Sequence, residues 1–151
     1  MYKKVLVPLD GSKLAECAVD HVRALVKEGS VKGVILFAAV RVDTSWVELY
    51  GQNFNVEAMR KALLDSAKRY LTDLQDRLSG EGIKVKTEVL EADGAAGGIT
   101  DFAREKGCDL IVMATHGYTG MKKLMLGSVA LSVLHHSQIP VLLIRPASCR
   151  L

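Results

Sequence analysis

Short β-branched and apolar runs alternate here with longer stretches of helical spacing, and that alternation leaves the chain few architectures. Residues 5–9 form the first run, closed by Pro8 and the pair Asp10-Gly11; its unbroken apolar character suits a strand buried on both faces. Ser12 is placed to cap a helix over residues 13–28, where Leu14, Ala18, Val22, Leu25 and Val26 recur at helical spacing and Gly29 supplies the stop. Residues 31–42 predict a second buried strand. Residues 43–55, with Trp46, Tyr50, Gly51 and Asn53, are polar and irregular and predict a long loop. Helical periodicity returns over residues 56–78 and stops at Ser79-Gly80-Glu81-Gly82, residues 83–90 alternate as a third strand, and residues 94–106 predict a helix closed by Gly107. Residues 110–114 predict the most apolar strand, residues 128–136 the last helix and residues 140–144 the last strand.

Strands alternating with helices imply right-handed crossovers, so the expected fold is α/β: an open five-stranded parallel sheet with helices on both faces, Rossmann-like, in one domain over residues 1–151. With 49% hydrophobic residues the chain can fill one continuous core. In such sheets ligands sit beyond the carboxyl ends of the strands, where strand order reverses. That directs attention to residues 10–12, 39–44, 91–94 and 115–127.

The 20 Lys and Arg exceed the 17 Asp and Glu by a net +3, scattered along the chain without runs of one sign. Only 5% of residues are aromatic. This composition argues against a nucleic-acid binder. Cys17, Cys108 and Cys149 are odd in number and widely spaced, which indicates neither a disulfide framework nor a zinc site and fits a reducing cytoplasm. The opening MYKKVLVPLD runs straight into a strand without the pattern of a secretory leader, and no apolar run approaches the roughly 18–20 residues that span a bilayer, so no membrane role is expected. Motifs of the GxxxxGK[ST], GxGxxG, HExxH and GxSxG types are absent. His135 and His136 are adjacent, point about 100° apart on a helix, and cannot share one metal.

The segment that carries chemistry is residues 114–128, with Gly117, Gly120 and Gly127 ahead of the last helix. Glycine lets backbone N–H groups approach an anion, and a helix starting near Gly127-Ser128 adds unpaired donors and the positive end of its dipole. Lys122 and Lys123 add positive charge at longer range. The same glycines also suit a plain turn and helix start.

Four ordered motifs across residues 2–146 bear on these readings: Val5-Leu6-Val7-Pro8-Leu9-Asp10-Gly11-Ser12, Asp109-Leu110-Ile111-Val112-Met113-Ala114-Thr115-His116-Gly117, Leu126-Gly127-Ser128-Val129-Ala130 and Pro140-Val141-Leu142-Leu143-Ile144. In them the chain resembles the universal stress protein family. Its ATP-binding members carry Gly, two residues, Gly, nine residues, then Gly-Ser or Gly-Thr; that pattern falls on Ala114, Gly117, Gly127 and Ser128, with alanine at the first position. Tyr118 stands where family members often have a basic residue.

The resemblance implies a stress-response role and an adenine nucleotide, ATP or else ADP or AMP, with Mg²⁺ held mainly by its phosphates. Asp10 is then the acceptor for the ribose hydroxyls, Pro8 and Leu9 line the nucleoside pocket, and the backbone of Ala39 meets the adenine edge. Met113, Val129 and the loop glycines complete the pocket, and His116 stands on the phosphate side. Asp43 and Asp93 follow strands at the same edge and are candidates to assist Mg²⁺ through water. No catalytic set is evident, so the expected activity is slow ATP turnover at most. The alternative is a member of the family that binds no nucleotide and acts as a protein interaction module. The apolar strand Val141–Ile144 leaves a sheet edge that a second copy would cover, which predicts a homodimer.

Overall fold

The computed structural model of the protein describes residues 1–53, 55–116 and 126–147. In chain order these form β1 (Val5–Pro8), α1 (Cys17–Lys27), β2 (Val34–Val40), α2 (Ser45–Tyr50), a 3₁₀ turn (Gly51–Asn53), α3 (Val56–Gly80), β3 (Val85–Glu91), α4 (Ala95–Glu105), β4 (Leu110–Ala114), α5 (Ser128–His136) and β5 (Val141–Ile144). The five strands lie in the order β3-β2-β1-β4-β5, and every pairing is parallel. This is the α/β architecture that the alternation of runs predicts.

Side chains of successive strand residues point to opposite faces, and each face meets its own helices. Val5, Val7, Leu36 and Val112 pack with Val19 and Val22 of α1 and Leu71, Leu74 and Leu78 of α3. On the other face Leu6, Ile35, Phe37 and Ile111 meet Ile99, Phe102 and Ala103 of α4 and Val133 of α5. The rings of Phe37 and Phe102 stack at 4.6 Å. β1 is fully buried, as its unbroken apolar run predicts.

Several boundaries differ from the sequence reading. The second strand starts at Val34 rather than residue 31: Val31 makes only an isolated bridge to Tyr2, and at Gly33, whose carbonyl accepts the Val5 N–H, a side chain would lie 3.2 Å from the Lys3 carbonyl. The third strand starts at Val85, because the Ile83 N–H closes the end of α3 on the Leu78 carbonyl. Ser12 does not cap α1. Its hydroxyl accepts from the Ala15 N–H at 3.2 Å, and tight turns through Lys13 and Leu14 delay the helix to Cys17.

The segment expected as a long loop instead holds α2 and the 3₁₀ turn. Asp43 Oδ1 accepts both the Ser45 N–H (2.9 Å) and the Ser45 hydroxyl (2.6 Å), a local turn that starts the helix. At the far end of this segment Asn55 caps α3 by accepting the Ala58 N–H at 2.9 Å.

Candidate functional site

β1 occupies the middle of the sheet, with β2 on one side and β4 on the other, so strand order reverses at the carboxyl ends of β1 and β4. A cavity of about 220 Å³ opens there. Ten of the predicted site residues line it: Pro8, Leu9 and Asp10 from the end of β1, Ala39 from β2, Met113, Ala114 and His116 from β4 and its exit, and Gly127, Ser128 and Val129 from the start of α5. Gly117 and the neighbouring Tyr118, Lys122 and Lys123 lie outside the described residues. Asp43 and Asp93 are not part of this wall, and the Asp43 carboxylate is engaged by Ser45.

Sequence reasoning missed Ala15, Ala95, Ile99 and Ala130, which also line the cavity, while Thr115 falls within the segment it singled out. Ala95 and Ile99 arrive with α4, which starts at the carboxyl end of β3 behind Gly94. A helix start at the ligand-bearing edge was the available signal.

Asp10 is held by its own turn. Its Oδ1 accepts the Ser12 N–H at 2.9 Å and the Ser12 hydroxyl at 2.6 Å. Gly11, at φ 85°, supplies the left-handed step the chain takes there. Close by, the Tyr70 hydroxyl donates to Glu16 at 3.4 Å; burial first, and then the negative charge of Glu16, push its pKa up, so it stays a neutral donor.

On the opposite wall Gly127 folds back on the strand exit. Its N–H donates to the Thr115 carbonyl at 2.8 Å, and a Cβ there would stand 3.0 Å from that same oxygen. The constraint is one of space, since its φ of −61° is open to any residue. As N-cap of α5, Gly127 offers no side-chain cap, which leaves the first N–H groups of a nine-residue helix, those of Ser128, Val129 and Ala130, at the cavity wall without a side-chain acceptor among the described residues. α4 begins in the same way behind Gly94.

His116 is 3% exposed, with Nδ1 2.8 Å from the Thr115 hydroxyl. Its Nε2 is buried without a hydrogen-bond partner among the described residues, an uncommon and costly state for a ring nitrogen. Leu9, Ile99, Met113 and Ala114 are all buried and give the cavity an apolar lining. By strand alternation the Ala114 methyl lies on the α1 face with Leu110 and Val112. The arrangement suits a ligand with an apolar body, hydroxyls for a carboxylate and an anionic end for open N–H groups. Among the described residues, no group of three His, Cys, Asp or Glu side chains is arranged to hold a metal ion.

A family model described as the universal stress protein family matches residues 1–145. The universal stress protein MJ0531 of Methanocaldococcus jannaschii is 34% identical over 146 residues, an alignment covering 96% of this chain and 83% of that one. The solved structure of MJ0577, from the same organism, superposes with a TM-score of 0.82 at 32% identity and covers 96% of each chain. A universal stress protein solved in complex with cAMP shares the fold at a TM-score of 0.67 and 20% identity, over 97% of this chain and 98% of that one. Matched along almost its entire length by the family model and by relatives above 30% identity, the chain belongs to the universal stress protein family.

Proposed function

We propose that the protein binds an adenine nucleotide, ATP or else ADP or AMP, in the cavity at the carboxyl edge and acts in stress response as a nucleotide-dependent regulatory module. The observation that carries this reading is the uncapped start of α5 at the cavity wall, across from the anchored carboxylate of Asp10. The N–H groups of Ser128 and Val129 and the Ser128 hydroxyl take the phosphates, aided by the helix dipole. Asp10 accepts the ribose hydroxyls, Pro8, Leu9 and Met113 enclose the nucleoside, and the Ala39 backbone meets the adenine edge. His116 Nε2 gains the partner it lacks in the cavity wall. Ala114 is accommodated because its methyl follows the strand onto the α1 face, and Gly117 matches the second glycine of the family's sequence pattern.

Mg²⁺ arrives with the phosphates rather than in a protein cage, which is the habit of a cation that keeps its water. Any hydrolysis is slow. The cAMP-bound relative supports the fold's capacity for an adenine nucleotide in that protein. The buried thiol of Cys108 fits a reducing cytoplasm, and no helix among the described residues is long and apolar enough to cross a membrane.

Thermal melts and calorimetric titrations with ATP, ADP and AMP, with and without Mg²⁺, test the proposal. A rise in melting temperature that grows with ligand concentration is expected, since a ligand bound only to the folded state stabilises it. Absence of both heat and shift for all three nucleotides at millimolar concentration overturns it and leaves a family member working as an interaction module.

A further inference from the structure

At the opposite end of the sheet, where the strands begin, six lysines far apart in sequence come together. Lys3 and Lys4 lead into β1, Lys32 precedes β2, Lys84 and Lys86 stand at the start of β3, and Lys106 follows α4; all six line one groove of about 790 Å³. Among the described residues Glu88 is the one acidic residue in that lining. The groove therefore holds more positive charge than the chain's whole net of +3, and the remainder of the protein is net negative.

Two of the lysines have structural duties. Lys4 Nζ donates to the Lys106 carbonyl at 2.5 Å, and the Lys106 ammonium lies 5.6 Å from the centre of the Phe102 ring. The ammonium groups of Lys3, Lys32, Lys84 and Lys86 have no ion pair among the described residues, whereas elsewhere Arg23 and Lys27 both clamp Glu81 and Arg60 reaches Glu57 and Glu91. Asp109 does not neutralise them by contact: its two oxygens accept the backbone N–H groups of Lys3 and Lys4 at 2.7 and 2.9 Å. Gathering unpaired like charge destabilises a fold through self-repulsion, and a multivalent anion relieves it.

Val34, Ile35, Ile83 and Phe102 in the lining are buried, so the groove has low-dielectric walls that strengthen the pull of its ammonium groups on an anion. The volume is that of a small-molecule site. Phe102, the only aromatic residue in the lining among the described residues, is 6% exposed and offers no face for base stacking, which disfavours single-stranded nucleic acid. None of the strongly exposed apolar side chains lies in the lining, so nothing there is set to insert into a bilayer. We infer that this amino-edge groove binds a free oligophosphate, a short chain of linked phosphate groups, through Lys3, Lys32, Lys84 and Lys86, at a site separate from the cavity at the carboxyl edge.

The test is calorimetric titration of the full chain with inorganic tripolyphosphate at low and high salt, together with amide NMR to locate the anion. Binding that weakens with salt is expected, with amide perturbations at residues 3–4, 32–35 and 83–86. The exposed pair Lys84→Glu/Lys86→Glu loses about tenfold or more in affinity while Lys84→Arg/Lys86→Arg retains it. No binding at low salt overturns the inference, as does affinity unchanged by the double Glu variant or perturbation confined to residues 127–130. Binding of single-stranded DNA or anionic vesicles without tripolyphosphate binding likewise overturns it and reassigns the surface to a macromolecule. Because NMR reads the two ends separately, a failure here is distinguishable from an empty nucleotide cavity.

Discussion

Gly127 and Gly97 are both glycines in or beside helices of this fold, yet their surroundings set opposite expectations. A methyl at Gly127 meets the Thr115 carbonyl at 3.0 Å, a backbone atom that cannot swing aside, while at Gly97, exposed on α4, it meets nothing within 4 Å. Gly127→Ala is expected to cost about 1–3 kcal/mol by overpacking and to suppress nucleotide binding. Gly97→Ala is expected to gain about 0.4–1 kcal/mol by removing freedom from the unfolded chain. Denaturant melts of the two variants check the pair, and equal effects would remove the close approach at Gly127 from the argument. The sequence marks Gly127 as a glycine ahead of a helix. It does not show that space, rather than a left-handed φ, is the reason, because that depends on how near the exit of β4 comes. His116 is similar: its place after the strand is readable, but that its Nε2 is buried without a partner among the described residues is not.

At the scale of elements, the central pairing of β1 with β4 is short, with only Val5 opposite Leu110 and Leu6 opposite Ile111, and Asp109 extends it by accepting the Lys3 and Lys4 N–H groups. Loss of hydration pushes the Asp109 pKa up, but these backbone hydrogen bonds together with its own N–H outweigh that and hold it below the ordinary carboxylate value. A carboxyl depressed by folding contributes stability above its unfolded pKa and loses it as pH falls through the folded one. Wild type is therefore expected to melt above Asp109→Asn at neutral pH, with the gap closing below about pH 4. A gap independent of pH would sink this account. The strands and helices that the core demands were legible from periodicity, because burial on both faces writes itself into unbroken apolar runs. α2 was not, since it is short, lacks an apolar stripe long enough to register and begins with an Asp43–Ser45 turn that equally suits a loop. The start of β2 was lost to Gly33, whose close approach to Lys3 is a tertiary fact.

For the whole molecule, β5 ends the sheet with four half-buried apolar residues, and Leu131 and Leu134 of α5 are exposed beside it. An edge that no strand covers among the described residues invites a partner, and a two-fold axis lets a second copy pair β5 with β5 in antiparallel fashion. We expect a homodimer that Val141→Lys/Leu143→Lys converts to monomer in light-scattering measurements; an unchanged mass removes this edge as the interface. Charge is the property least visible before folding, because the six lysines of the groove are spread from residue 3 to residue 106. The parallel sheet sends every strand start to one end and every strand finish to the other, separated by about 20 Å at roughly 3.3 Å per residue. Such a body is polarised: laid on an anionic support or a negatively charged resin, it meets the surface with its basic end first. The molecule would then stand with the carboxyl-edge cavity turned outward, open to solution.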